Sequence, residues 1–68
     1  MRARVNGVEH ELDDGTSLAT VLRRCGVPLS GVAVAVDGAV VPRGQWARTV
    51  LWDGVVVEVL TVVQGGAV

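Results

Sequence analysis

The sequence predicts an α+β domain in which one main helix packs across one face of a four- or five-stranded mixed sheet. Three features carry that expectation. Two turn dipeptides, Asn6-Gly7 and Asp37-Gly38, each sit between alternating segments. A single amphipathic helix pattern has clear start and stop signals, and a dense apolar run, Val55 to Val63, lies near the end. At 68 residues there is room for one domain. A chain of this size buries only ~60% of its unfolded surface, so every element must feed one small core.

From Met1 to Asn6 the side chains alternate, with Met1, Ala3 and Val5 on one face and Arg2, Arg4 and Asn6 on the other, the pattern of a half-buried strand. Asn6-Gly7 turns the chain, because both residues tolerate positive φ. Val8, His10 and Leu12 then alternate with Glu9 and Glu11 in the returning strand, which Asp13-Asp14-Gly15 ends. Leu18, Val21, Leu22 and Cys25 follow at i, i+3, i+4 and i+7, one apolar helical stripe. Ser17 is the expected N-cap, with Thr16 second. Arg23 and Arg24 suit the negative end of the helix dipole, Gly26 fits the position past the C-terminus, and Pro28 prevents continuation.

Val32 to Val36 alternates Val with Ala, and Asp37-Gly38 turns into Ala39-Val40-Val41, which Pro42 closes. Gln45-Trp46-Ala47 reads as a short turn of helix, and Thr49-Val50-Leu51 as a brief extended piece. Asp53-Gly54 turns again. The apolar density of Val55 to Val63 predicts a strand with neighbours on both sides, covered by the helix on at least one face. This order is that of the β-grasp, or ubiquitin-like, topology, in which the last strand lies centrally beside the first. The expected division is a β-grasp domain over residues 1–63 and a flexible C-terminal tail over 64–68.

Composition narrows the function. Six basic and seven acidic residues give a net charge of -1, and the arginines are scattered, which argues against phosphate neutralisation on nucleic acid. The chain has no Tyr or Phe to stack bases. One cysteine cannot form an internal disulfide, and no Cys/His cluster has zinc spacing. No secretory signal begins the sequence, and no apolar stretch approaches the ~18 residues of a membrane span. The expectation is a cytoplasmic protein that binds neither nucleic acid nor membrane.

Few side chains suggest chemistry. His10 alternates with Val8 and Leu12 and reads as a partly buried strand residue, with no serine or carboxylate near it in sequence to suggest a triad. Cys25 lies on the apolar stripe and reads as a small hydrophobe. Glu9, Glu11, Asp13 and Asp14 form an acidic cluster that reads as a solvated edge. Neither GxxxxGK[ST] nor GxGxxG occurs. The domain is therefore expected to have no active site of its own, no bound cofactor and no metal.

The tail remains, ending Val62-Val63-Gln64-Gly65-Gly66-Ala67-Val68. With nine glycines among 68 residues, a Gly-Gly pair arises at a given place about 2% of the time, so alone it says little. It has a physical use, however. Glycines let a backbone thread a narrow channel in another protein, since they lack Cβ and accept any φ. Chemistry at a main-chain carboxyl then needs no side chain.

Val41-Pro42-Arg43, Gln45-Trp46-Ala47, Asp53-Gly54, Val57-Glu58-Val59-Leu60-Thr61 and Gln64-Gly65-Gly66 together resemble the ThiS family of sulfur carrier proteins, and the resemblance runs over essentially the whole chain. It implies a carrier cycle and a protein that is a substrate, not an enzyme. An E1-like (ThiF-like) adenylyltransferase would use ATP to adenylate the Gly66 carboxylate, with Gln64 and Gly65 threading the arm. Sulfur from a cysteine desulfurase or another source would convert the adenylate to a thiocarboxylate. A ThiG-like thiazole synthase would then take the sulfur for thiamin. Partner contact is expected on the open sheet face, through residues such as Glu58 and Leu60.

Two departures from the family pattern stand out. Val55 occupies a position usually polar after Asp-Gly, a change expected to alter only a turn. Ala67-Val68 follows Gly66 and would block adenylation, so cleavage between Gly66 and Ala67 is expected, performed by a JAMM-type zinc peptidase. The alternative is an extension foreign to the natural chain. Two other functions stay open: a sulfur carrier for cysteine, molybdopterin or secondary metabolism, and a non-carrier ubiquitin-like interaction module.

Overall fold

The computed structural model describes residues 1–28 and 30–61. The chain forms β1 (Arg2–Val5), β2 (Val8–Glu11), α1 (Leu18–Arg24), β3 (Val32–Val36), β4 (Ala39–Val40), a 3-10 helix (Arg43–Arg48) and β5 (Val55–Thr61). The five strands lie in the order β2-β1-β5-β3-β4. β1 and β5 run parallel and the other neighbours antiparallel, so the sheet is mixed. This is the expected β-grasp arrangement, with the last strand central. The expected continuation of that strand through Val62 and Val63 lies outside the described residues.

Both hairpins turn at the dipeptides that predicted them. Asn6 and Asp37 each have a φ of 48°, and Gly7 and Gly38 follow at 82° and 86°. Two consecutive positive φ values give a two-residue turn whose twist matches the strands it joins. The first residue of each turn also reaches β5. The Asn6 backbone N–H donates to the Val57 carbonyl (3.0 Å), its side-chain oxygen accepts from the Val59 N–H (2.8 Å), and its amide nitrogen donates to the Val59 carbonyl (3.3 Å). The parallel ladder thus continues one pair past the point where β1 turns away. On the other edge, the Asp37 N–H donates to the Val56 carbonyl (2.8 Å) and its Oδ1 accepts from the Val56 N–H (2.8 Å). At the start of β1, Asp53 Oδ1 accepts from the Arg2 N–H at 2.7 Å.

α1 begins where its sequence places the cap. Ser17 is extended (φ -84°, ψ 160°) and its hydroxyl oxygen accepts from the Thr20 N–H at 3.2 Å. Thr16 is instead buried, and its hydroxyl donates to the Asp13 carbonyl at 2.6 Å. Leu18, Val21 and Leu22 are buried against Ala3, Val5, Val34, Val36, Val55 and Val57 of the sheet. Burying each such side chain contributes about 1.5–3 kcal/mol.

The connector between β4 and β5 closes the remaining side of the core. The strand expected over Ala39-Val40-Val41 is shorter, and Val41 departs with a single bond from its N–H to the Val34 carbonyl (2.8 Å). The helical turn expected at Gln45-Trp46-Ala47 is longer, Arg43–Arg48. Trp46 is buried there, and its indole Nε1–H donates to the Val41 carbonyl at 2.9 Å. Thr49 and Leu51 then tie the segment to the start of α1, through Leu18 N–H to Thr49 O (2.8 Å) and Leu51 N–H to Thr16 O (2.9 Å). Val55 begins β5 as its apolar run predicts, but a valine in place of a polar residue there does more than alter a turn, since Val55 is fully buried opposite Ala3. The turn is complete at Gly54, and strand alternation sends Val55 inward with Val57.

Two stability measurements follow. Asn6→Gly keeps a residue that accepts positive φ but removes both side-chain bonds to Val59. Its stability should fall by about 1 kcal/mol, seen as a lower urea midpoint at unchanged slope. Trp46→Phe leaves the Val41 carbonyl without its indole donor and should cost about 1–2 kcal/mol in the same assay. An unchanged midpoint in either variant would show that the bond concerned contributes nothing.

Candidate functional site

The alternation of β5 gives the sheet two different faces. Val55 and Val57 point into the core, whereas Val56, Glu58 and Leu60 point outward, with Leu60 69% exposed. On that open face Leu60 lies opposite Ala33 and Glu58 opposite Ala35, while Val40 of the edge strand lies opposite Ala35. β3 presents only methyl groups outward, because its valines occupy the inward positions. The larger side chains of Val40 and Leu60 therefore border a shallow hollow of about 110 Å³, lined also by Ala33, Ala35 and Glu58.

The other half of the open face is charged. Arg2 approaches Glu11 at 3.5 Å and Glu9 at 4.0 Å, and Arg4 approaches Glu9 at 3.8 Å. These pairs are exposed and contribute little to stability, but they neutralise one another across β1 and β2. The expected solvated acidic edge is thus largely engaged: Glu11 and Asp14 also lie 3.9 and 3.8 Å from the Met1 ammonium. Glu58 differs. Among the described residues no cation lies within ion-pair distance of it, and its neighbours on the face are Val56, Leu60 and Ala35. A lone carboxylate within an apolar patch is the pattern of a surface that takes a partner side chain with a basic group and apolar surroundings.

Of the residues predicted as functional, Glu58 and Leu60 lie together on this face. Gln64, Gly65, Gly66 and Ala67 lie outside the described residues. The structure describes the root of the arm, β5 as far as Thr61. Sequence reasoning missed Val40, Val56, Ala33 and Ala35. For Val56 the signal was available in the strand parity, since a buried Val57 fixes the outward direction of every even-numbered residue of β5.

His10 and Cys25, read separately from the sequence, are neighbours in space. Cys25 Sγ lies 3.8 Å from His10 Nε2, and both residues are half-buried beside a groove lined by Val5, Asn6, Val8 and Val27. Among the described residues no carboxylate or hydroxyl bonds the imidazole, and no three His, Cys, Asp or Glu side chains could hold a metal ion. No described helix is long and apolar enough to cross a membrane.

Comparison with known proteins gives a consistent result. The chain matches the ThiS family over residues 2–66. A crystal structure of the thiamine biosynthesis protein ThiS from Geobacter metallireducens is similar, with 29% identity, a TM-score of 0.81, and coverage of 97% of this chain and 100% of that one. A solution structure of a thiamine biosynthesis protein from the same organism gives 29% identity and a TM-score of 0.73, covering 97% of this chain and 88% of that one. No curated protein matches the chain.

The open face should tolerate change without loss of fold. Leu60→Gln should shift unfolding stability by no more than about 0.5 kcal/mol, since the side chain is already in water. A larger loss on urea unfolding would mean that Leu60 supports the core.

Proposed function

The chain belongs to the ThiS family, with residues 2–66 matched, and on that premise we propose that it is a sulfur carrier protein for thiazole formation in thiamin biosynthesis. The reacting group is the carboxylate of Gly66. An E1-like adenylyltransferase joins it to the α-phosphorus of ATP, releasing pyrophosphate and turning a poor leaving oxygen into AMP. A persulfide sulfur, originating from a cysteine desulfurase, displaces AMP from the acyl carbon. A second thiol, supplied by the partner or by a dithiol reductant, then attacks the cysteine sulfur of this acyl disulfide, forming a disulfide with that cysteine and releasing the thiocarboxylate that a thiazole synthase consumes. ATP is bound by the partner, and this chain acts as a protein substrate.

The chain's own part is to dock and to present the arm. The apolar half of the open face provides the contact, with Leu60 beside the hollow and Glu58 offering a carboxylate to a basic side chain. Beyond Thr61, five residues lead to Gly66, a reach of at most ~17 Å. Ala67 makes the Gly66 carbonyl an amide, so the chain needs hydrolysis of the Gly66–Ala67 bond before it can be adenylated. The observation that carries this reading is the extent of the family match, which ends on Gly66 and leaves Ala67 and Val68 beyond it. A JAMM-type zinc peptidase is the proposed processing enzyme.

The test compares residues 1–66 with the full chain, each incubated with ATP and an E1-like adenylyltransferase and read by intact mass. The trimmed chain should acquire AMP and, with a persulfide donor, exchange one oxygen for sulfur, while the full chain stays unmodified. If neither acquires AMP, the carrier reading fails. If the full chain is modified without losing Ala67-Val68, the processing step fails. In the trimmed chain, Leu60→Gln should lower kcat/KM for adenylation about tenfold, and an unchanged value would remove Leu60 from the docking face.

A further inference from the structure

Charge is distributed unevenly along this chain. From Gly15 to Trp52 there are four arginines, Arg23, Arg24, Arg43 and Arg48, against the single carboxylate of Asp37, a net +3. The remainder has two arginines against six carboxylates, a net -4. The basic segment contains both helices of the fold, and Asp13, Asp14 and Asp53 lie just outside its ends. α1 and the 3-10 helix pack together, with Leu18, Leu22 and Trp46 buried in the core beneath them. Neither helix contains an acidic residue. Asp37, at the turn into β4, makes no ion pair with any of the four arginines; its Oδ1 accepts from the Val56 N–H.

All four arginines are exposed. Among the described residues, the ion pairs involve only Arg2, Arg4 and the Met1 ammonium, so none of the four has a carboxylate at ion-pair distance. Local structure accounts for some of them. Arg23 and Arg24 occupy the last turn of α1, and Arg48 the end of the 3-10 helix, where positive charge is favourable. Arg43 begins its helix, the end at which a cation is unfavourable. The group as a whole is therefore not explained by helix stability.

We propose that the side formed by α1 and the 3-10 helix is a second docking surface, one that fits an acidic protein surface. Guanidinium groups pair with carboxylates in a planar, two-bonded geometry, so four exposed arginines without carboxylate partners on two packed helices suit an acidic surface. Nucleic acid is the poorer fit, since Trp46 is buried and the exposed Trp52, beyond the 3-10 helix, would be a single stacking platform. The net -4 elsewhere repels an acidic partner and so turns it toward this side during approach. α1 covers the sheet face opposite to that of Glu58 and Leu60. A partner here leaves the open face free, and two proteins can be held at once. This surface does not depend on the chemistry assigned to Gly66.

The test uses the full chain, labelled for amide NMR and titrated with poly-L-glutamate at an ionic strength of about 50 mM. Shifts should concentrate on the amides of α1 and the 3-10 helix and vanish near about 0.5 M salt. Replacing all four arginines with Gln should weaken binding about tenfold or more. The pair Arg43→Gln and Arg48→Gln, which leaves α1 untouched, should give a smaller loss in the same direction. Shifts centred on Val56 to Leu60, no shifts, or equal binding by the substituted chains would overturn the proposal. So would a single-stranded oligonucleotide of matched charge that moves the same amides at lower concentration, which would make this a nucleic-acid surface.

Discussion

β5 is hydrogen-bonded on both edges, to β1 in parallel and to β3 in antiparallel fashion, and the two hairpin turns extend that pairing with side chains. Asn6 continues the parallel edge to Val59 after β1 has turned away, and Asp37 closes the antiparallel edge at Val56. A parallel pair joined by a long crossover forms slowly, because the loop must close before its contacts stabilise it. Here the two hairpins are local, and each presents a polar turn residue to the strand that arrives last in sequence. Removing β5 would separate β1-β2 from β3-β4 and leave α1 without Val55 and Val57 beneath it. The core, the sheet and the root of the arm all depend on this one strand.

The same strand sets the two faces. Once Val55 and Val57 are inward, Val56, Glu58 and Leu60 have no choice of direction. The inner face closes over α1 and the connector, where Trp46 and Leu51 complete the cover. The outer face has no helix to cover it, and its composition reflects that. β1 and β2 place opposite charges against each other, while β3 contributes alanines where larger apolar residues would have enlarged the exposed patch. The resulting surface is apolar around the end of β5 and polar away from it.

The turns, the Ser17 cap and the helix stripe were legible in the sequence because each rests on neighbours a few positions apart, and the strand order because the succession of elements fits one topology. The central place of β5 was legible too, from the density of its apolar run. The strand start at Val55 was legible, but its full burial was not, because the register with Ala3 decides it and register is a long-range property. The same limit hid the outward set of Val40, Ala33 and Ala35, and the approach of Cys25 to His10 across 15 positions. Of the motif residues in the connector, Trp46 is scaffold. Trp46 holds the connector to Val41, which explains a specific sequence pattern without any chemistry at the indole.

A carboxylate delivered into another protein's active site needs a flexible end and a fixed origin, and these requirements conflict within one short segment. On the carrier reading, β5 supplies the fixed origin and the two glycines the flexible end. Through Thr61 it is a strand, clamped by Asn6 two residues earlier at Val59. Beyond it, Gly65 and Gly66 supply the freedom that threading demands. With the open face docked, the arm's origin is fixed to within the precision of a packed sheet. Its end is confined to a sphere of at most ~17 Å radius, which raises its effective concentration at the partner's nucleotide site without any further contact. A clamp placed nearer the glycines would shorten the reach, and one placed earlier in β5 would let the origin wander. The position of Asn6 therefore matters to delivery as well as to folding.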